Sequence, residues 1–356
     1  MASKRFSILD DGDVSALEKN SKNDNTTRST ATWLKTFNSW AESRNIVPEL
    51  SLFAPDELND ILRRFYAEVR KENGDDYEPD SLRVMQAALH RYLISCKYPK
   101  SIMSDKEFKS SRDVLEGKAR MLRTNGKGKR PNAATALSRE DENLLWDQKK
   151  LGAVNPEVLL HTIWFNNTQH FGQRGRQEHI SMEVRNFKRR ITEDGKQCVE
   201  FWEDPTKCRG KGLHPTFRVT APKMVATGCD RCPVKLFDLY MSKRPEEIKF
   251  SGRFYLTPKQ NTTLSDEVCY MVTGVGKNKI SSFMKSIIKD TILEKNGLNY
   301  TNHSGRKTVV KKLKQANVPE SSIIKLTGHT TEKGLRSYDP GNDVVGNDHV
   351  PCNNWK

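Results

Sequence analysis

No run of apolar residues in this 356-residue chain approaches the roughly 20 that a bilayer-spanning helix requires. The N-terminus, MASKRFSILDDGD, lacks the apolar stretch of a secretory signal. A membrane-embedded or exported protein is therefore not expected. The seven cysteines are odd in number and scattered, with one close pair. That excludes a disulfide-stapled scaffold and fits a reducing compartment, nucleus or cytosol. Acidic residues are also scarce relative to basic ones: 45 Asp and Glu against 60 Lys and Arg leave a net charge of +15 and a pI near 9.4. Such a balance favours polyanions, nucleic acid or an acidic membrane surface, without choosing between them. The length suffices for two domains with proper cores.

What the chain does contain begins with a polar arm. Residues 1–28 cluster Asn, Lys, Ser and Asp without hydrophobic period and read as disordered. Four helical patterns follow over 29–122. Trp33, Phe37 and Trp40 recur at helical spacing, as do Leu58, Ile61, Leu62, Phe65 and Val69. Ser81 opens a third helix with Leu82, Met85, Leu89, Tyr92 and Leu93 inward, and a fourth runs through Phe108, Leu115, Ala119 and Leu122. These aromatics read as core rather than base-stacking platforms. The next stretch, RTNGKGKRPN, gathers basic residues, two glycines and a proline. It reads as a linker over 123–136 whose charge also suits phosphate contact, and KGKR is a weak nuclear-import signal.

Ser138 caps a further helix with Glu140, Asp141 and Glu142 in its first turn, and Asn155-Pro156 starts another that ends near Phe171-Gly172. Arg174 and Arg176 follow that glycine at the start of a new helix, where backbone amides also face an anion. Alternating residues from Cys198 to Trp202, a basic turn-rich PTKCRGKGLHP and TFRVTAP predict a β-hairpin. GCDRCPV holds Cys229 and Cys232 at metal-ligand spacing. One such pair supplies half of a structural zinc site, and Cys208 and His214 are the candidates to complete it; reduced structural thiols are the competing reading. Helical period resumes over Val234–Met241 and again over Ser281–Leu293, with a short strand at Phe254–Leu256.

The most informative stretch is NYTNHSGRKTVVKKLKQANVPESSIIKLTGHTTEKGLRSYDP, residues 299–340. His303 and Arg306 share one helical face. Asn317 and Pro319 end that helix, Ser321-Ser322 can cap a second, and Gly328 stops the second with His329 at its end. Tyr338 follows. Cationic donors without a carboxylate partner suit a phosphate, which Arg grips bidentately while staying charged. Positive charge also favours a phenolate attacking phosphorus, a poor reaction at the ordinary phenol pKa of about 10.

This block resembles the C-terminal box of tyrosine recombinases: His-x-x-Arg, then Gly-His, then the nucleophilic tyrosine. HSGRKT, LTGH and SYDP look closest to the eukaryotic Crypton-type branch and the host genes derived from it. The resemblance implies a mainly α (α+β) fold. It comprises an N-terminal helical SAM-like core-binding domain over 29–122 and, over 137–342, a mostly helical catalytic domain with a small β-hairpin. A flexible tail covers 343–356. It makes Tyr338 the nucleophile, with His303, Arg306 and His329 around it. The first catalytic arginine sits in a Thr-Gly-x-Arg motif, matched with one substitution by Phe171-Gly172-Gln173-Arg174, so Arg174 takes that role. Arg176 is the alternate, because Glu178 lies one place later than the pattern expects. The hairpin lysine that protonates the leaving oxygen corresponds to Lys207, with Lys211 as competitor. No cofactor, metal ion or ATP is implied. Double-stranded DNA is the partner, a synapse of four protomers the active assembly and the nucleus the location. The resemblance equally allows a domesticated descendant that keeps the fold and binds DNA as a regulator without cleaving it, or a nicking-closing enzyme lacking only the synapse.

Overall fold

The computed structural model describes residues 7, 9–21, 23–128, 133–204, 220–328, 335 and 338. Two compact units partition the chain, Met1–Pro131 and Asn132–Lys356. Among the described residues no helix is long and apolar enough to cross a membrane.

The first unit is helical throughout: α1 (Asp11–Ser21), α2 (Asp24–Glu42), α3 (Pro55–Glu68), α4 (Pro79–Ser95) and α5 (Lys109–Thr124). Where the polar composition of residues 1–28 predicts an arm without structure, α1 and the start of α2 are helical. None of the α1 residues is buried, so this helix stands outside the core. Its acids sit in the first turn and a lysine in the last, where the helix dipole favours them. Proline occupies the first turn of both α3 and α4, where its missing N–H costs nothing. The third helix thus begins at Pro79, ahead of Ser81. Phe37, Leu62, Phe65, Leu89 and Phe108 are wholly buried in one cluster, with Trp33 and Trp40 packed partly buried against it. Phe37 and Phe65 meet edge-on at 5.1 Å. These aromatics are core, as their helical spacing implies.

The second unit builds around α7 (Pro156–Phe171), which is buried on nearly every side. Before it, α6 (Arg139–Asp147) opens with a capping box in which Ser138 and Asp141 satisfy each other's backbone N–H groups at 3.0 and 2.8 Å. Asn155 caps α7 by accepting from the Val158 amide at 2.9 Å. Gly172 ends it in the left-handed conformation at φ 61°. After α8 (Gln177–Ile180) come β1 (Phe187–Ile191) and β2 (Gln197–Phe201), paired antiparallel with Phe187 opposite Phe201. This hairpin, which turns within residues 192–196, is additional to the one the sequence pattern predicts from Cys198 onward, whose two strands are β2 and the next strand of the sheet. The strand that returns along the other edge of β2 is β3 (Lys223–Val225), with Cys198 opposite Val225. The sheet order is β1-β2-β3.

Downstream lie α9 (Pro233–Ser242) and a second antiparallel pair, β4 (Leu256–Pro258) with β5 (Tyr270–Gly274). The single helix expected over Ser281–Leu293 is instead three short ones: α10 (Lys277–Ser281), α11 (Phe283–Ile288) and α12 (Ile292–Lys295). The Met284 amide bonds to the Asn302 side chain at 3.0 Å instead of a helical carbonyl, and Asp290 adopts φ 60°; both interrupt the helical ladder. The chain then enters α13 (Asn302–Gln315) and α14 (Glu320–Thr327). Pro319, rather than Ser321-Ser322, precedes α14, with no side-chain cap. Gly328 closes α14 at φ 68°.

Candidate active site

Four of the sequence's candidate residues come together where α13 crosses the end of α7. Thr301 caps α13, and its side chain forms a reciprocal box with Ser304, which fixes the first turn carrying His303. Gly305 lets the two helices approach: a Cβ there would lie 2.7 Å from Thr168 Cγ2 on α7. Arg306 is consequently driven inward and is only 2% exposed. Its Nη1 donates to the Gly172 carbonyl at 2.6 Å. Gly172 is itself pressed against α14, where an added Cβ would stand 2.8 Å from the Leu326 carbonyl oxygen. The glycine that stops α7 thus anchors the buried guanidinium.

Arg306 also shares a side-chain hydrogen bond with the Tyr338 phenol. Tyr338 reaches this point by packing, partly buried, on the cluster of Val309, Val310, Leu313, Ile323 and Leu335 formed by α13, α14 and the segment beyond. Burial pushes the Arg306 guanidinium below its ordinary range. Tyr338 and Glu178 counter that push, whereas the charge of Arg174 adds to it. Arginine remains protonated in proteins, so the result is a fixed buried cation.

Arg174 stands on the loop between α7 and α8. Its backbone N–H donates to Glu178 Oε2 at 2.5 Å and its Nε lies 3.8 Å from Glu178 Oε1. Glu178 thus orients Arg174, although its register departs from the expected motif. Arg176 is exposed. Of the two loop arginines, Arg174 is the one whose charge bears on Arg306. The His303 ring is held below the ordinary histidine value, first by partial burial of its inner edge and then by Arg306, Arg174 and Arg176. Its outer side remains exposed. His303 is therefore biased toward the neutral form, able to accept a proton from a neighbouring hydroxyl.

Lys207, Lys211 and His329 lie outside the described residues, as do Cys208 and His214. Cys229 is exposed and Cys232 buried, with Thr227 donating its N–H to the Cys232 sulfur at 3.4 Å and its hydroxyl 3.1 Å from that of Cys229. Burial pushes the Cys232 thiol up, but the backbone amides of Lys235, Thr227, Gly228 and Val234 outweigh it and bring the thiol to about 7. Among the described residues no group of three or more His, Cys, Asp or Glu side chains is placed to hold a metal ion.

Two supports of this site escaped sequence reasoning. His179 is fully buried, bridging Thr168 Oγ1 at 3.0 Å and the Tyr255 hydroxyl at 2.8 Å, and burial depresses it to about 3, so it is neutral. It ties α8 to α7 and to the residue just before β4. Asn302, immediately before His303, bonds the arginine loop. Its adjacency to His303 was the only available signal.

The chain matches two family models: the QRICH1 domain over residues 14–121, and a domain of unknown function, DUF3504, over residues 136–289. The human transcriptional regulator QRICH1 is 26% identical over 241 residues, covering 65% of this chain and 30% of that protein. Human zinc finger MYM-type protein 3 is 28% identical over 258 residues, covering 65% of this chain and 18% of that protein. The chain thus spans less than a third of the length of these curated relatives. Among solved structures, the XerH site-specific recombinase bound to palindromic difH substrate in a post-cleavage complex superposes with a TM-score of 0.51 at 14% identity. That match covers 89% of this chain and 76% of the recombinase. The mostly helical architecture with small antiparallel sheets is a tyrosine recombinase fold.

Proposed function

We propose that this chain is a DNA strand-transfer enzyme of the tyrosine recombinase type, closest to the Crypton branch, acting on double-stranded DNA in the nucleus. The observation that carries the reading is the hydrogen bond between the Tyr338 phenol and the buried Arg306, with Arg174 beside them. Tyr338 Oη attacks the scissile phosphorus, the bond from phosphorus to the 5′ oxygen breaks, and a 3′-phosphotyrosine forms. Arg306 and Arg174 hold the non-bridging oxygens and stabilise the charge that accumulates on them in the five-coordinate transition state. Burial fixes Arg306 before substrate arrives, so little reorganisation remains at the moment of reaction. His303 takes up the phenolic proton, with His329 as a further phosphate-binding donor. Lys207, or Lys211 in its place, delivers a proton to the departing 5′ oxygen. The covalent linkage conserves the energy of the broken bond, so resealing by the reverse attack needs no nucleotide hydrolysis. A tetramer on DNA is the assembly that strand exchange requires.

A suicide duplex, nicked beside the cleavage position so that the short product diffuses away, tests this directly. The wild type should accumulate a covalent protein–DNA adduct and Tyr338→Phe should not. A second reading, a DNA-binding regulatory module that keeps the fold without cleavage, is favoured by the similarity to transcriptional regulator QRICH1. It predicts tight, salt-sensitive duplex binding with no adduct over a broad panel of sites.

A further inference from the structure

Asn302 is the first residue of α13, buried at 7% exposure, and every polar atom of its carboxamide is engaged. Nδ2 donates to the Gly175 carbonyl and to the Ile280 carbonyl, each at 2.6 Å, while Oδ1 accepts from the Met284 amide at 3.0 Å. One side chain thereby joins the arginine loop, α10 and α11 to the helix bearing His303 and Arg306. The fit is close: a Cβ on Gly175 would stand 2.5 Å from Asn302 Cβ and 2.7 Å from its carbonyl oxygen. Arg306 holds the same loop at Gly172. Arg174 therefore sits between two fasteners, one at each side of it along the chain. Two donors and one acceptor in this arrangement are a carboxamide's; an aspartate would face two carbonyl oxygens with a third negative group, and an aliphatic chain would forgo all three hydrogen bonds.

We propose that Asn302 is a positioning residue for the phosphate-binding cluster: by gripping Gly175 it sets the Arg174 guanidinium relative to Arg306 and His303. This rests on the reading of the cluster as a phosphate site given above. The competing role is purely structural, holding α10 and α11 against α13.

The His303 ring separates the two roles. The charged groups facing it are Arg306 on its own helix and Arg174 and Arg176 on the loop that Asn302 holds. The experiment compares full-length wild type, Asn302→Ala and Gly175→Ala. It follows the His303 ring by NMR titration, assigned with His303→Gln, and measures suicide-duplex trapping and duplex affinity in parallel. Gly175→Ala keeps Asn302 but forces the loop off the helix, which guards against a single variant that fails to fold. In both variants the His303 midpoint should rise toward the ordinary histidine value as the loop arginines recede. Trapping should fall about a hundredfold, the cost of a displacement near 1 Å, with affinity for duplex little changed. A His303 midpoint that stays at the wild-type position in folded variants overturns the assignment. If the wild type itself traps no DNA, the cleavage reading fails on that result alone, and the titration still decides the role of Asn302.

Discussion

The unit Met1–Pro131 and the unit Asn132–Lys356 fill their interiors differently. Among the described residues of the first, Gln86, Ser111 and Lys118 are the buried polar side chains, and Lys118 merely caps the end of α3 by donating to the Ala67 and Val69 carbonyls at 2.8 and 3.0 Å. The second buries His161, Asn167, His179, Arg244, Asn302 and Arg306, among others. Burying polar groups costs free energy unless each finds partners, and a buried cation costs more. A scaffold has little need of such groups; the phosphate site proposed above uses the guanidinium groups among them. Both units hold an apolar core, and the polar groups of the second divide in use: Arg244 ties together the Ile248, Ser251, Arg253 and Phe254 carbonyls, whereas Asn302 and Arg306 line the proposed site.

The largest effect expected from breaking this comparison is in the apolar core. Phe65→Ala removes a ring that meets Phe37 at 5.1 Å and Trp40 at 5.2 Å. It should cost about 3–5 kcal/mol, read from hydrogen exchange of α3 amides. Next is Arg306→Met, a swap of similar volume. Trapping of suicide duplex should drop about 10²- to 10³-fold, while stability falls by only about 1–3 kcal/mol, the cost of leaving the Gly172 carbonyl without its buried donor. A loss of stability comparable to that of Phe65→Ala would show the arginine to be structural and dissolve the contrast.

Acid should also separate the units. His161 and His179 are depressed by burial to about 4 and about 3. The unfolded chain takes up protons at about 6.5 that the folded unit refuses, so stability is full above that value and declines as pH falls. Each histidine contributes up to about 1.4 kcal/mol per pH unit between about 6.5 and its folded value. Protection of α7 amides, compared at pH 7 and pH 5 with that of α3, should therefore fall more steeply, since the first unit holds one histidine, His90. The smallest effect belongs to the surface: Arg120→Ala removes an exposed pair with Glu116 and should leave the unfolding midpoint within measurement error.

What could be read from sequence followed the strength of local signals. Ser138 with Asp141, Asn155-Pro156, Gly172 and Gly328 announce helix ends because capping and left-handed stops are local chemistry. The HSGRKT block shows its face because His303 and Arg306 are one helical turn apart. Glu178 could be named but not given its partner, since the loop geometry that turns Arg174 toward it depends on Gly175 resting on Asn302. The break of Ser281–Leu293 into three helices was illegible for the same reason: the Asn302 side chain takes the Met284 amide from a place 18 residues away. The first residues mislead in the other direction. α1 has capping charges without a buried face, so hydrophobic period could not reveal it.

Mapping the point of DNA attachment measures the central claim most directly. Wild-type protein trapped on a suicide duplex is digested with nuclease and trypsin, and the peptides are sequenced by mass spectrometry. The nucleotide remnant should sit on Tyr338, and Tyr338→Phe should yield no remnant anywhere. A remnant on another residue, or duplex bound at saturating protein with no remnant at all, would contradict the account.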